Sequence, residues 1–319
     1  VIGAGPAGLA CADRLARAGI QADVFDRYEE IGGLLTFGIP PFKLEKHVML
    51  TRRLVLEAMG VRFHLRTDIG NDISFEKLLA DYDAVFLGTG CYTAVNAQLP
   101  GQDLSGRLEA LPFLIANARQ ILASDVQSDI SLDFNNKSVV VLGGGDTAMD
   151  CVRTSIRLNA ASVTCVYRRD EASMPGSRRE VGNARDEGVQ FLFNHAPVAI
   201  EGSDKVSGVR LIETEDTGNG KSRAEFSAAS AKANEKILAA DIVITAFGFR
   251  PSPASWLEQH GVNLQDSGRI EMSGDLPYQT SQPKIFAGGD NVRGADLVVT
   301  AVHDGRDAGL AIAKWLKKI

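Results

Sequence analysis

The sequence predicts an α/β protein built from two domains with parallel sheets, the second inserted within the first. A strand, a glycine-rich loop and a helix occur at 1–18 and again at 138–158, and a short strand follows each, at 21–26 and 162–167. This order is that of a βαβ unit, whose strands are parallel. The last strand and helix, from IFAGGD at 285–290 onward, continue the first domain.

The elements between the two units alternate helix and strand. The pattern predicts a helix over about 44–59 that ends at Gly60, a strand at VRFHL, a helix capped by Ser74 and a buried strand at 84–88.

The second half begins with a helix near 178–187 and the strand VQFLF. A hairpin-like region then extends from about 198 to 240, and its polar segment 217–236 is predicted to be a surface loop. The strand DIVITAFGF closes this half, and a long helix runs from about Asp296 to Lys318. We therefore expect domain pieces at 1–98, 99–279 and 280–319.

Composition narrows the function classes. The 319 residues are 45% hydrophobic and 23% charged, as in globular enzymes, and the net charge of −6 comes without a block of like charges. A nucleic-acid partner is therefore not expected, and neither is a membrane partner, since no apolar run reaches spanning length. The four cysteines form no C-x-x-C pair, which indicates buried thiols in a reducing, cytoplasmic setting. No metal site is expected.

The first glycine loop, GAGPAG, fits the G-x-G-x-x-G pattern through Gly3, Gly5 and Gly8. Such a loop lets a pyrophosphate approach the backbone and the amino end of a helix. Asp26 ends the next strand 18 residues after Gly8, where a carboxylate can hold ribose hydroxyls. The alternative for Asp26 alone is a solvated strand end.

The second loop, GGGDTA, offers Gly143, Gly145 and Ala148 in the same pattern, but its second strand ends in Arg168 and Arg169 instead of an acid. Two guanidinium groups there suit a ribose 2′-phosphate, to which Arg178 and its neighbour could add. The alternative is a solvated, salt-bridged arginine surface. The strand ends therefore favour FAD in the first Rossmann-like domain and NADPH in the second.

Three further segments fit a flavoprotein. Gly88, Thr89 and Gly90 follow a buried strand, and Gly289 and Asp290 follow the last strand, where Asp290 could hold a ribityl hydroxyl. The amino end of the final helix, around Thr300, could face the flavin ring. The remaining candidate cofactor-binding residues are Gly32, Gly33, Leu34 and Lys43 for FAD, and Asp146, Thr147 and Gly248 in the second domain. No side chain is expected to act as a catalytic acid or base, because hydride transfer is cofactor chemistry.

Four long motifs carry a resemblance that covers essentially the whole chain. They are IGGLLTFGIPPFKLEKHV, VVVLGGGDTAMDCVR, VYRRDEASMPGSRREV and IFAGGDNVRGADLVVTAVHDGR. Together they resemble the small subunits of NADPH-dependent glutamate synthase and their paralogous FAD- and NADPH-dependent oxidoreductases. The resemblance implies an FAD domain interrupted by an NADPH domain. It also implies electron transfer through an iron–sulfur domain that precedes the first glycine loop, and a glutamate synthase large subunit as a partner. This sequence contains no cysteine-rich region of that kind.

Three alternatives remain open. A paralogue with another electron acceptor shares these motifs. A disulfide reductase of the same architecture would need a dithiol that the sequence lacks. The third alternative belongs to a different functional class: a subunit that binds the cofactors and senses redox state without catalytic turnover.

Overall fold

The computed structural model describes residues 1–214 and 235–317. Its helices are α1 Pro6–Arg17, α2 Leu34–Phe37, α3 His47–Ala58, α4 Phe75–Asp81, α5 Ala110–Ile121, α6 Asp146–Arg157, α7 Arg178–Asp186, α8 Trp256–Gln259, α9 Asp290–Arg293 and α10 Val298–Lys317. Its strands are β1 Asp23–Phe25, β2 Arg62–His64, β3 Val85–Leu87, β4 Cys91–Ala94, β5 Arg107–Glu109, β6 Ser138–Leu142, β7 Ser162–Val166, β8 Gln190–Leu192, β9 His195–Gly202, β10 Val206–Glu213, β11 Glu235–Ala239, β12 Ile242–Thr245, β13 Phe249–Pro251 and β14 Ile285–Ala287.

The chain divides into two compact units, and the second interrupts the first. Unit 1 comprises Val1–Thr93, Ile121–Val126 and Phe249–Ile319, and unit 2 comprises Ala94–Gln120 and Gln127–Gly248. The predicted fold class, an α/β protein with one dinucleotide-type domain inserted in another, is confirmed. Residues 249–279, which the sequence analysis placed in the second domain, lie in unit 1.

The sheet of unit 1 is parallel and has the start of the chain at its centre. Ile2 forms parallel bridges to Phe25 of β1 and to Leu87 of β3. Strand β2 pairs with β1 on one side, and β14 pairs with β3 on the other, which gives the order β2–β1–Ile2–β3–β14. The first glycine loop therefore leaves the carboxyl end of the central strand, where parallel α/β sheets bind ligands.

Both faces of this sheet are covered, because the strand side chains alternate between them. Val24, Phe86 and Phe286 belong to one core cluster, which α1 and α10 complete. Phe25 and Leu87 belong to the other cluster, together with residues of α4 and of the segment around α8. Continuous apolar strands of this kind are typical of a parallel sheet buried on two sides.

Unit 2 contains a five-stranded parallel sheet in the order β5–β12–β6–β7–β8. Val139 and Val141 of β6 pack with residues of α5, α6 and α7, while Val140 and Leu142 pack with residues of β10 on the opposite face. That opposite face is covered by the antiparallel sheet β9–β10–β11. The predicted hairpin-like region is this sheet, and the predicted surface loop at 217–236 lies outside the described residues except for the first two residues of β11.

Candidate dinucleotide-binding sites

The three glycines of the first loop have different roles. Gly3 has a φ of +98°, and a Cβ there would lie 2.4 Å from the carbonyl oxygen of Gly88. A Cβ at Gly8 would lie 1.8 Å from the carbonyl oxygen of Gly3. Gly5 has an ordinary φ of −74°, and a Cβ there would meet no described protein atom within 4 Å. The fold therefore requires Gly3 and Gly8, whereas at Gly5 the protein leaves open space.

That open space lies at the amino end of α1. Gly5 is the residue that precedes the helix, Pro6 occupies its first turn, and among the described residues no side chain caps it. The first backbone N–H groups of a helix have no partners within the helix, and with the helix dipole they attract anions. The loop thus has the geometry of a pyrophosphate cradle.

Asp26 fixes this loop from the end of β1. Its Oδ2 accepts a hydrogen bond from Ala4 N at 2.6 Å, and its Oδ1 accepts one from Tyr28 N at 2.8 Å. Burial raises the pKa of the Asp26 carboxyl, although the two backbone N–H groups oppose that shift. The structure therefore gives Asp26 a structural contact with the glycine loop, and its contact with a ribose stays a prediction.

The segment around Gly32 packs directly on the first loop. Gly32 N donates to Ala4 O at 2.8 Å. Gly33 has a φ of +52°, and a Cβ there would lie 3.0 Å from the Cα of Gly5. The predicted FAD-lining residues Gly32, Gly33 and Leu34, the first residue of α2, are thus beside the open space at Gly5.

Lys46 supports this segment and was missed by the sequence analysis, whose own choice, Lys43, stays a prediction for FAD contact. Lys43 is exposed, whereas Lys46 is buried and its Nζ donates to Leu35 O at 3.0 Å and to Ile39 O. The two carbonyl groups lie within and just beyond α2. The ammonium group of Lys46 therefore holds the end of this short helix, and the motif FKLEK alone does not indicate which lysine is buried.

The two turns predicted to approach the flavin are neighbours at the same sheet edge. Leu87 of β3 is in register with Ala287 of β14, and Gly288 N donates to Leu87 O at 3.2 Å. A Cβ at Gly289 would lie 3.0 Å from Ala7 Cβ, which places this turn against α1. The loops 3–8, 88–90 and 288–290 therefore meet at the carboxyl edge of the parallel sheet of unit 1.

Two acids differ in their roles at this edge. Burial raises the pKa of Asp290 to about 6, and the charges of Asp296 and Asp304 add to that shift. Asp304, fully buried in α10, accepts hydrogen bonds from Gly289 N at 3.0 Å and from Arg293. Burial alone would raise the pKa of Asp304, but the Arg293 guanidinium and the Gly289 N–H hold it below its ordinary value. The sequence analysis did not identify Asp304, because a lone acid in a helix carries no motif.

The final helix α10 begins at Val298, close to its predicted start. Thr300 lies in its first turn and donates from Oγ1 to Leu297 O at 2.6 Å. The helix packs tightly on α1, since a Cβ at Gly305 would lie 1.9 Å from Ala7 O. Its amino end is therefore held beside the first glycine loop, and a contact between Thr300 and a flavin stays a prediction.

The glycine loop of unit 2 repeats the pattern of the first. Gly143 has a φ of +147°, and a Cβ there would lie 2.3 Å from Ala246 O. A Cβ at Gly145 would meet no described protein atom within 4 Å, and this residue precedes α6. Ala148 is fully buried, and Thr147 lies beside it in the first turn of α6.

Asp146 joins this loop to the segment before α7. Its Oδ1 accepts a hydrogen bond from Ser177 N at 2.9 Å, and Gly176 N donates to Gly144 O at 3.0 Å. Arg178, the next residue, begins α7 and is exposed. The bond from Ser177 therefore brings Arg178 and Arg179 towards the glycine loop, a proximity that the sequence alone did not establish.

The backbone of the arginine pair is held by the neighbouring antiparallel sheet. Thr214 Oγ1 donates to Arg168 O at 2.6 Å, and Asn194 N donates to Arg169 O at 3.1 Å. Arg169 Nε donates to Tyr167 Oη at 3.0 Å, while the Arg168 side chain is exposed. Thr214 is a third residue that sequence reasoning missed, since it lies 46 positions from Arg168 along the chain.

The ion pairs of unit 2 are formed by other arginines than the exposed ones beside the glycine loop. Arg153 of α6 pairs with Glu180 at 2.6 Å and with Glu187 at 2.8 Å. Within residues 1–214 and 235–317, the exposed Arg168, Arg178 and Arg179 belong to no ion pair. Unpaired guanidinium groups beside a glycine loop are suited to a phosphate.

Gly248 is the last residue of unit 2 and has a φ of +100°. Its carbonyl accepts a hydrogen bond from Val95 N at 2.9 Å. The turn therefore ties the chain after β12 to the segment that enters unit 2. A cofactor contact at Gly248 stays a prediction.

The cysteines do not provide a redox-active dithiol. All four, at positions 11, 91, 151 and 165, are buried free thiols. Burial raises the pKa of Cys11, Cys91 and Cys165 to about 12, so these groups are protonated at neutral pH and unreactive. In the described part of the chain, no group of three or more metal-ligating side chains occurs, and no helix has the length and apolar character needed to cross a membrane.

Comparison with known proteins gives three kinds of match. Residues 1–305 match the family model described as pyridine nucleotide-disulphide oxidoreductase. The chain is 55% identical to the small chain of glutamate synthase [NADPH] of Escherichia coli K12, over 99% of this chain and 68% of that protein. It is also 55% identical to the putative oxidoreductase UacF of the same strain, over 97% of this chain and 49% of that protein.

Among solved structures, FprA from Mycobacterium tuberculosis in complex with NADPH superimposes with a TM-score of 0.78 at 19% identity, over 99% of this chain and 84% of that one. At 19% identity, this structural similarity supports the fold alone. The chain spans about two thirds of the E. coli small chain and about half of UacF. On the family match and the 55% identity to the E. coli small chain, the chain belongs to the pyridine nucleotide-disulphide oxidoreductases, and within them to the glutamate synthase small subunits and their paralogues, which makes it an FAD-dependent NADPH oxidoreductase.

Proposed function

We propose that this chain is the flavin module of a larger electron-transfer enzyme, in which FAD binds unit 1 and NADPH binds unit 2. Electrons then leave through an iron–sulfur domain to a partner subunit, in the manner of glutamate synthase. The name of the E. coli relative supports this choice of partner. The proposed location is the cytoplasm, where thiols such as the four free cysteines stay reduced.

The observation that carries the proposal is the same open glycine in both loops. Gly5 and Gly145 each precede a helix, and at each a Cβ would meet no described protein atom within 4 Å. The packing of the fold does not require glycine at either position. The lack of a side chain there instead leaves room for a ligand that approaches the loop from outside the chain. A dinucleotide pyrophosphate is the ligand that such a loop fits.

The FAD site would use the three converging loops of unit 1. Gly3, Gly5 and Gly8 hold the ADP half through the backbone of the first loop. The flavin half would be surrounded by residues from the other loops and from α10: Gly32, Gly33, Leu34, the turn 88–90, Gly289, Asp290 and Thr300. Because the pKa of Asp290 is raised by burial, a hydroxyl group of the ligand that exchanges hydrogen bonds with it relieves part of that penalty.

The NADPH site would use the second loop and the arginines. Gly143, Gly145 and the start of α6, with Asp146 and Thr147, hold the pyrophosphate side. Arg168, Arg169 and Arg178 take the 2′-phosphate, because their charged donors match phosphate oxygens. In the described residues, the guanidinium groups of Arg168 and Arg178 are free of carboxylate partners, so a phosphate does not have to displace one.

When bound, the two cofactors supply the chemistry, which is transfer of a hydride from the nicotinamide to the flavin. The chain contributes binding and placement. The tight helix packing at Gly305 and the buried Lys46 hold the loops of unit 1 in fixed positions. The buried thiols take no part, which removes the support for a disulfide reductase within this family.

A second candidate is a paralogous oxidoreductase with another electron acceptor. It is favoured by one observation: UacF, named a putative oxidoreductase, is as similar to this chain as the E. coli glutamate synthase small chain is, at 55% identity. Both candidates share the flavin and nicotinamide sites, and they differ in the partner that receives the electrons.

The test is an activity assay with NADPH and an artificial acceptor. The FAD-loaded protein should reduce ferricyanide with NADPH and much less rapidly with NADH. A protein that binds both cofactors and shows no turnover would support the redox-sensor alternative and refute the proposal. If turnover is present, a second assay distinguishes the two candidates. The protein is mixed with NADPH, glutamine, 2-oxoglutarate, a glutamate synthase large subunit and the iron–sulfur domain of a small chain. Formation of glutamate supports the first candidate, and its absence supports the second.

A further inference from the structure

The turn after β14 contains a buried polar residue that the sites described above do not use. Asn291 follows Asp290 in α9, and it is 3% exposed. Its Nδ2 donates to Leu87 O at 2.9 Å and to Thr89 Oγ1 at 3.2 Å. One amide group thus joins the turn 288–290 to the turn 88–90.

The other end of the same amide is unsatisfied. Within the described chain, Asn291 Oδ1 is buried and accepts no hydrogen bond. Exchange of the amide oxygen and nitrogen would not relieve this, because an oxygen would then face the carbonyl of Leu87, and only the bond with the Thr89 hydroxyl could be kept. A buried acceptor without a donor destabilises a fold, and its removal offsets the loss of the two donated bonds, so an apolar side chain of similar shape would be about neutral here.

The two turns joined by Asn291 are those predicted to face the flavin. Gly288 N also donates to Leu87 O, at 3.2 Å, and Cys91 Sγ donates to Asp290 O at 3.1 Å. The first of these bonds fixes only the start of the turn 288–290. The amide of Asn291 is the contact that reaches the side chain of Thr89, in the middle of the other turn.

We propose that Asn291 is a positioning residue that fixes the turns 88–90 and 288–290 for FAD binding, at a cost to the stability of the fold. The proposal rests on the proposed function, since it assumes that FAD binds unit 1. What distinguishes Asn291 from other buried side chains with an unpaired atom is that its amide donates to both turns, to Leu87 O and to Thr89 Oγ1. A residue that joins the two ligand-facing turns through hydrogen bonds has to be polar.

The test compares Asn291→Leu with the unsubstituted protein. Leu has a shape similar to that of Asn and removes the unpaired acceptor together with the two donated bonds, so the apoprotein should unfold at about the same temperature. The dissociation constant for FAD, measured by the change in FAD fluorescence, should rise roughly five-fold or more, because the hydrogen bonds that fix the turns are lost. Asn291→Met serves as a second variant with a more adaptable side chain.

The chain offers a matched control in unit 2. Thr154 of α6 is 2% exposed, and within the described residues its Oγ1 also lacks a hydrogen-bond partner. Thr154→Val removes an unpaired buried oxygen at constant shape, as Asn291→Leu does, but far along the chain from both turns. It should leave the FAD dissociation constant unchanged.

Three results would overturn the inference. Unchanged FAD affinity in both Asn291 variants would show that the amide does not position the site. A fall in the unfolding temperature of both apoproteins would show that Asn291 serves the fold. Failure of the unsubstituted protein to bind FAD would refute the proposed function, and the inference with it, and that result is distinct from the first two.

Discussion

Substitution of the middle glycine of the first loop separates a cofactor role from a structural one. At Gly5 the φ of −74° suits any L-residue, and a Cβ meets no described protein atom within 4 Å. Gly5→Val should therefore fold. The position precedes α1, where Val is less favourable than Gly by about 1 kcal/mol, and this lowers the unfolding temperature of the apoprotein by about 2–4 °C.

The effect on FAD should be far larger. The new side chain fills the space in which a pyrophosphate would contact the N–H groups of the loop. A hydrogen bond to a charged group contributes about 1.5–3 kcal/mol, so loss of two such contacts weakens FAD binding by about 3–6 kcal/mol, or roughly 10²- to 10⁴-fold. The assay is titration of the apoprotein with FAD, followed by fluorescence. Gly5→Val that folds and binds FAD normally would refute the reasoning.

Gly8→Val is the matched comparison. A Cβ at Gly8 would lie 1.8 Å from the backbone oxygen of Gly3, an overlap that no side-chain movement relieves. We expect this variant to lose the cooperative unfolding of unit 1. If Gly8→Val were as stable as Gly5→Val, the contact between α1 and the loop would be wrong.

Three further outcomes are expected. Replacement of Arg168 and Arg169 by Ala should raise the KM for NADPH roughly ten- to a hundred-fold through loss of a charge-assisted contact, and an equal rise for NADH in steady-state assays would contradict the phosphate role. Thr214→Val should reduce the NADPH-to-NADH ratio of kcat/KM and Thr214→Ser should restore it, because the hydroxyl holds the Arg168 carbonyl; an unchanged ratio would count against that bond. Asp290 has a pKa of about 6 in the folded protein against an ordinary 3.8, so its proton stabilises the fold at low pH and this stability is lost as pH rises through that range. Asp290→Asn should then raise the unfolding temperature of the apoprotein at about pH 8 but not at about pH 4, and the opposite order would show that the pKa of this half-buried carboxyl is not raised.

Much of this fold follows from local sequence. The two glycine loops, the cap at Ser74 and the apolar strands lie where local rules place them, and Ser74 Oγ accepts a hydrogen bond from Lys77 N as a cap should. The helix α5 was not predicted. Seven of the twelve residues in its sequence ALPFLIANARQI are buried, and a short apolar run such as ALPFLIA cannot be assigned to a helix or a strand from periodicity alone.

The site was predictable where a motif fixes backbone geometry, and not where residues distant in sequence meet. Gly3 and Gly8 are required by close contacts that the G-x-G-x-x-G pattern encodes. Lys46, Asp304 and Thr214 act on backbone groups of other segments, and their roles depend on tertiary contacts that no local spacing reveals.

The central claim is that NADPH bound at the loop of unit 2 reduces FAD bound at the loop of unit 1. The most direct measurement is an anaerobic titration of FAD-loaded protein with NADPH, followed by the visible absorbance of the flavin, for the unsubstituted chain and for Gly145→Val. A Cβ at Gly145 meets no described protein atom within 4 Å, so this variant should fold and keep its FAD. The account predicts full loss of flavin absorbance with stoichiometric NADPH in the unsubstituted chain, and little loss in Gly145→Val. Equal bleaching of both proteins, or no bleaching of FAD-loaded unsubstituted protein, would contradict it.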